Sequence, residues 1–262
     1  MTRPNPAFPG SAGRPGMDAA LLRFVADMYG VQLDQLAALL TNWGQPAASA
    51  ADLAREIVAD WRATGHADTG QLSLGEPWVW ATRKGLDACG HRTKLIRPAP
   101  ATLRHTHAVT EVRLALGRTS SWRQSRAQWR SERSILAGAF PSRVGHVPDG
   151  EVHYPTGTGM PWAGEIWAVE VELSRKSVEH TAAIMQEIMA RTSDYGGPPA
   201  GHAVPGLPPR YARLVYVCSP VSVRSVLNAQ AEVGPPHSAR IDVHDLPESA
   251  LRLNPQKRGW EP

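Results

Sequence analysis

The hydrophobic period changes along the chain, and the change falls at Arg97-Pro98-Ala99-Pro100. Two prolines in three positions remove backbone donors and stiffen the chain, so no helix or strand is expected to run through them. Before this break apolar residues recur at helical spacing; after it short alternating runs appear. A chain of 262 residues holds two such parts, each with its own core. The pattern predicts a domain over 17–92, a linker over 93–101 and a second domain over 102–245. Residues 1–16 read as a disordered Pro/Gly-rich tail, and 246–262 as a C-terminal tail.

In the first part, 17–29 places Leu21, Leu22, Val25 and Met28 on one helical face, with Gly30 ending it. Residues 33–40 align Leu33, Leu36, Leu39 and Leu40. A third helix over 49–64 turns Leu53, Ile57, Val58 and Trp61 inward. Then 71–74 and 78–80 flank Gly75-Glu76-Pro77, a hairpin signal, and Thr82 caps a short helix to Ala88. Three helices and a hairpin make a winged helix-turn-helix layout, in which the third helix would enter a DNA groove. Yet 17–92 carries 6 basic and 9 acidic side chains, and its third helix sets Asp52, Glu56 and Asp60 beside Arg55 and Arg62. Phosphate contact needs a positive surface, so DNA contact and protein docking both stay open for this domain.

The second part reads as a helix over 102–116, strands over 128–135, 146–154 and 165–173, a helix over 178–192, a strand over 213–219, a helix over 220–233 and a strand over 241–244. Ala182, Met185, Ile188 and Met189 face inward on the 178–192 helix, which Ser174 or Ser177 caps. This order predicts an α/β sandwich with a mixed sheet, so the whole chain reads as α+β or α/β. The breaker-rich stretch 196–209 reads as a surface loop.

Charge is uneven. Residues 93–147 carry 10 basic and 2 acidic side chains, net +8, and the chain uses 24 Arg against 4 Lys. Arg104, Arg113, Arg118, Arg123, Arg126, Arg130, Arg133 and Arg143 surround Trp122 and Trp129, a mixture suited to a phosphate-rich ligand. A solvated basic face gives the same pattern, and genome base composition also favours Arg over Lys. The DNA-contact candidates are Arg55, Arg62, Arg113, Arg123, Arg126, Arg130 and Arg133. No apolar run approaches the ~20 residues of a membrane span, and 1–16 has no apolar segment like a secretory signal. Two cysteines, Cys89 and Cys218, build no disulfide scaffold, and a reducing cytoplasm is the expected setting.

The strongest chemical constellation is Pro148-Asp149-Gly150, followed 21 residues after the aspartate by Glu170-Val171-Glu172. Glu170 and Glu172 share one strand face, opposite Trp167, Val169, Val171 and Leu173, and so occupy the face less obviously core. Three converging carboxylates repel unless a cation or protons intervene. Mg²⁺ or Mn²⁺ held by Asp149, Glu170 and Glu172 would suit phosphoryl chemistry. Lys176 lies four residues after Glu172 and could steady an attacking water or a phosphate. His107 and Glu111, one helical turn apart, and Glu132 are auxiliary candidates. Two plain alternatives stand beside this. Pro-Asp-Gly is a common turn, and Glu170 and Glu172 could be solvated partners of Arg175 or Arg133. His146 and His153 have no third ligand in register, the cysteines lack metal-ligand spacing, and no phosphate-binding or nucleophile-elbow motif occurs.

A helix, a strand, a strand with P-D, a strand with E-x-E and a helix resemble the core of PD-(D/E)xK nucleases, the restriction-endonuclease-like fold. With the preceding winged helix, the segments HTHAVTEVRLAL, WRSER, HVPDG and AVEVELSRKS resemble the replication-relaxation proteins of actinobacterial plasmids and mobile elements, over about residues 17–245. The resemblance implies that Asp149 and Glu170 bind metal and that Glu172 stands where the family's lysine usually stands. Lys176 would then supply the ammonium from the helix, or the site is inactive. It implies DNA as partner, with a second copy or replication and transfer proteins beside it. The expected function is a Mg²⁺-dependent DNA endonuclease or nickase. The alternatives are an inactive nuclease-like DNA-binding factor and a protein-interaction module.

Overall fold

The computed structural model describes residues 14–73, 75–137, 145–192 and 208–251. The 1–16 tail up to residue 13, the 196–209 loop up to residue 207, Arg143 and the tail after residue 251 lie outside the described residues. The chain divides into two compact units, 1–119 with 247–262, and 120–246. The division therefore falls at Thr119, not at the expected 93–101 linker. The prolines do not separate domains. Pro100 instead occupies the first turn of helix α5 (Pro100–Arg118), where its missing N–H costs nothing. α5 packs on the first unit's helix α2, so the 102–116 segment does not belong to the second unit.

In the first unit α1 (Arg14–Asp27) precedes a short strand β1 (Val31–Gln32), then α2 (Leu33–Asn42) and α3 (Ala47–Ala63). Tyr29 at φ 63° and Gly30 at φ 150° turn the chain out of α1. α2 buries Leu33, Leu36, Leu39 and Leu40, and α3 buries Ile57, Val58 and Trp61. β2 (Ala67–Gly70) and β3 (Trp78–Ala81) follow, with β1 paired to β3 in an antiparallel sheet of order β1-β3-β2. The first hairpin strand is thus 67–70, and of the expected 71–74 the described residues 71–73 are not strand. Gly70 pairs with Trp78, and a Cβ at Gly70 would lie 3.1 Å from the Trp80 ring. α4 (Arg83–Ala88) starts where Thr82 Oγ1 accepts from Gly85 N.

The second unit begins with α6 (Ser120–Ser125), β4 (Gln128–Ser131) and α7 (Glu132–Ala137). The expected 128–135 strand stops at Ser131, whose hydroxyl accepts from Ser134 N and opens a helix instead. β5 (Gly150–His153), β6 (Ile166–Glu172), α8 (Val178–Ala190), β7 (Arg213–Cys218), α9 (Val223–Val233) and β8 (Ile241–Asp245) complete a five-stranded mixed sheet, β4-β5-β6-β7-β8. The hairpin pairs are antiparallel, while β6-β7 and β7-β8 are parallel. Each parallel step needs a crossover helix, here α8 and α9. Both pack on one sheet face, where Met185, Ile188, Val226 and Ala229 meet Ala168, Leu214, Tyr216 and Ile241.

Gly85 marks the tightest approach in the first unit, because a Cβ there would overlap the His66 carbonyl. Gly85→Ala is expected to lower unfolding free energy by about 1–3 kcal/mol in urea titrations. Gly117→Ala, where a Cβ meets nothing nearer than the Asn42 amide at 3.7 Å, should leave stability unchanged or raise it.

Candidate functional site

The site grows from strand register. Gly150 pairs with Val169 across β5 and β6, so one step further Asp149 stands opposite Glu170. On the other side Glu132 N donates to the Asp149 carbonyl at 3.2 Å. Glu170 pairs with Tyr216 on β7, and Glu172 with Cys218. Asp149, Glu170 and Tyr216 therefore lie in one row across three neighbouring chain segments. Gly150 is required here by packing, since a Cβ would overlap the Trp129 indole. Pro148-Asp149-Gly150 is the entry to β5, not a remote turn.

Each carboxylate is held. Asp149 Oδ2 accepts from Val171 N at 2.7 Å, between the two glutamates. Glu170 Oε1 lies 2.9 Å from His146 Nε2. Glu172 Oε2 lies 2.7 Å from Lys176 Nζ, and its Oε1 accepts from Ser174 N and Oγ, each at 3.2 Å. The backbone behind them is pinned: Ser219 N and Ser222 Oγ donate to the Glu172 carbonyl at 2.9 and 2.7 Å. His146 N donates to Glu187 Oε1 of α8 at 2.6 Å. Ser177, not Ser174, caps α8.

Glu170 and Glu172 are buried, at 7% and 6% exposure. They share their face with Ala168, which is packed in the α8/α9 core. The expectation that this face is the less buried one is overturned, as are the solvated pairings with Arg175 or Arg133. β6 is covered on both faces, and alternation cannot then tell them apart. Burial and the Asp149 charge push the Glu170 carboxyl up to about 7, against the pull of His146 and Lys176. Burial opposes charge on His146 and Lys176, but their carboxylate partners outweigh it and raise both. Burial, with Glu170, Glu172 and Asp149 adding to it, raises the Tyr216 phenol far above its ordinary range, so it keeps its proton.

His107 and Glu111 are not part of this row. They belong to the first unit, where Gln35 Nε2 lies 3.0 Å from His107 Nδ1 and donates to Glu111 Oε1 at 2.9 Å. His107 Nε2 also lies 3.1 Å from the Ser249 carbonyl. Of the arginine candidates, Arg133 is buried. Arg113 pairs with Asp27 at 3.4 Å and lies over Phe24. Arg55 pairs with Asp52 of its own helix at 2.7 Å, and Arg130 with Glu151 at 3.3 Å. Arg62, Arg123 and Arg126 are exposed.

Sequence reasoning missed His146, Tyr216 and Glu151. His146 was passed over for want of a ligand triad, and the Pro148 interruption hid its neighbour relation to Glu170. Glu151 is fully buried two residues after Asp149. It accepts from Arg210 Nη2 at 2.8 Å, from the Tyr211 hydroxyl at 2.7 Å and from Arg130, with His153 Nε2 at 2.7 Å.

Three carboxylates with one buried repulsion match a hard divalent cation in donor type and charge. They are not gathered around one point: among the described residues no three His, Cys, Asp or Glu side chains stand close enough to enclose an ion. A cation here would compete with Lys176 for Glu172 and with His146 for Glu170. Both cysteines are free thiols, and among the described residues no helix is long and apolar enough to cross a membrane. No protein-family model, curated protein or solved structure matches this chain.

Burial raises the Glu151 carboxyl, but His153, Arg210, Arg130 and Tyr211 outweigh it and bring it down to about 2. A depressed carboxyl stabilises the fold above its unfolded value of 4.5 and loses that contribution as pH falls toward 2. The expected loss is about 3 kcal/mol, read as the difference in urea unfolding between pH 6 and pH 2.5. Glu151→Gln should flatten that dependence and destabilise the protein at pH 7.

Proposed function

We propose that this chain is a DNA-binding protein whose second unit is a PD-(D/E)xK-like core that hydrolyses phosphodiester bonds with Mg²⁺ or Mn²⁺. The observation that carries this reading is the 2.7 Å bond from Val171 N to Asp149, which seats the aspartate against the strand bearing Glu170 and Glu172. In this reading Asp149 and Glu170 bind the cation and Glu172 joins them. When bound, the cation supplies an activated water and balances charge in the phosphoryl transition state. The chain's own residues prepare the place. Val171 N fixes Asp149, Ser219 and Ser222 hold the Glu172 carbonyl, and Lys176 carries an ammonium from the β6–α8 connection, two residues before α8, to Glu172. That ammonium suits a phosphate oxygen as well as Glu172.

The first unit supports a winged helix-turn-helix reading through its order of helix, strand, two helices and hairpin, with β1 closing a three-stranded sheet. Exposed Arg62, Arg123 and Arg126 are the remaining phosphate contacts. Two cysteines without a disulfide fit a reducing cytoplasm, and the resemblance to replication-relaxation proteins implies a role in plasmid or mobile-element replication or transfer, with a second copy or replication proteins as partners. A specific observation favours a second reading, an inactive nuclease-like DNA-binding factor: His146, Lys176 and Val171 N already satisfy the three acids.

Supercoiled plasmid with Mn²⁺ separates the two. Wild-type protein is expected to nick it, and Asp149→Ala or Glu170→Ala to slow nicking by about two orders of magnitude or more. A wild type that binds DNA with a steep salt dependence but never nicks, and an Asp149→Ala variant that binds equally, would establish the inactive factor instead.

A further inference from the structure

Three aromatic rings meet at the base of the β5–β6 connection, away from the carboxylate row. Tyr154 follows β5 and prolongs its ladder, its N donating to the Glu165 carbonyl and its carbonyl accepting from Gly164 N, both at 2.9 Å. Trp162 lies in the connection and Trp167 on β6. Trp167 pairs with Val152 on β5 and with Arg213 on β7. Alternation turns Trp167 and Arg213 to the sheet face opposite Ala168 and Leu214, which pack under α8 and α9. The cluster therefore stands on the other face of β6 from Glu170 and Glu172, and at its other end.

The ring geometry narrows what the cluster can hold. The centroids are 4.8 to 6.2 Å apart and the planes are inclined by 59° to 66°. Rings that close touch one another, so no space between them admits a cation or a side chain. A ligand meets them from outside, on a ring face. All three are only half-buried. Loop packing alone does not account for an indole at 162. Its Nε1 is buried and bonds to nothing among the described residues, a cost that phenylalanine or leucine would avoid. The neighbouring acids are occupied: Glu165 Oε2 accepts from Trp167 Nε1 at 2.6 Å, and both Asp242 oxygens meet Arg213 Nη1, at 3.0 and 3.3 Å. The Arg213 guanidinium lies 5.7 Å from the centre of the Trp167 ring, and 44% of its side chain is exposed. Flat apolar faces bordered by an exposed arginine suit bases joined by phosphates.

We infer that Tyr154, Trp162, Trp167 and Arg213 form a stacking platform for unpaired nucleotides, with bases against the rings and a phosphate against the guanidinium. The inference rests on the DNA-binding reading for the identity of the partner and does not depend on cleavage. Stacking is tolerant of sequence because every base has a π-face, but it needs bases free of a complementary strand. The platform therefore favours single strands over duplex.

The test measures Kd by fluorescence anisotropy, in Ca²⁺, for a labelled oligo(dT) and for a duplex of equal length, with wild type and Trp162→Leu. The variant is expected to bind oligo(dT) at least about fivefold more weakly and the duplex within about twofold of wild type. An unchanged oligo(dT) Kd overturns the platform, and a lowered Tm beside it assigns the rings to loop packing. Equal losses for both ligands, or a wild type that does not bind oligo(dT), overturn it too. Plasmid nicking without this selectivity keeps the nuclease reading and removes the platform; selectivity without nicking does the reverse. Should Trp162→Leu fail to fold, wild type is photo-crosslinked to an oligonucleotide carrying 5-bromodeoxyuridine. Adducts on Tyr154, Trp162 or Trp167 support the platform, and adducts only elsewhere, or none, refute it.

Discussion

β6 is buried on both faces, and two of its seven residues are glutamates. A buried carboxylate is tolerated only when it is paired or protonated. Much of the second unit answers that requirement. His146 arrives from the segment before β5, Lys176 from the connection between β6 and α8, and Ser219 and Ser222 from the turn after β7. Asp149 then adds a third acid beside Glu170. Replacing Glu170 and His146 together by packed hydrocarbon would be neutral or stabilising, whereas replacing Glu170 alone would strand His146.

The first unit solves a similar problem on a smaller scale. Gln35 sits on the buried stripe of α2 and bonds to His107 and Glu111 of α5. Asp27 at the end of α1 takes His91 at 2.6 Å and Arg113 at 3.4 Å, and these partners outweigh its burial to hold its carboxyl low. These pairs draw charges inward that a linear count assigns to the surface. The basic excess of 93–147 is correspondingly smaller as a surface feature than it is as a sum: Arg133 is buried, while Arg113 and Arg130 are committed to carboxylates.

Helices with strong periodicity or a clear cap were legible in the chain. α2, α3, α4 and α8 lie close to their expected positions because Leu spacing, Thr82 and Ser177 act within a few residues. The chain after Ser131 was not, since a serine hydroxyl turned an apparent strand into α7. The hairpin register also depended on distant packing, with Trp80 against Gly70 fixing β2 at 67–70. Asp149, Glu170, Glu172 and Lys176 were legible as candidates from spacing. His146 and Tyr216 were not, because one comes from irregular chain and the other from a strand more than 40 residues away.

Residue order alone determined the strongly periodic or capped helices α2, α3, α4 and α8 and the alternation that sets Glu170 and Glu172 on one side of β6, because those follow from contacts within a few residues. Only tertiary structure decided which side is covered, that α5 belongs with the first unit, and which charges neutralise one another. Those outcomes depend on β5, β6 and β7 lying side by side and on α8 and α9 closing over one face, and burial is a property of neighbours that the chain's linear order does not contain.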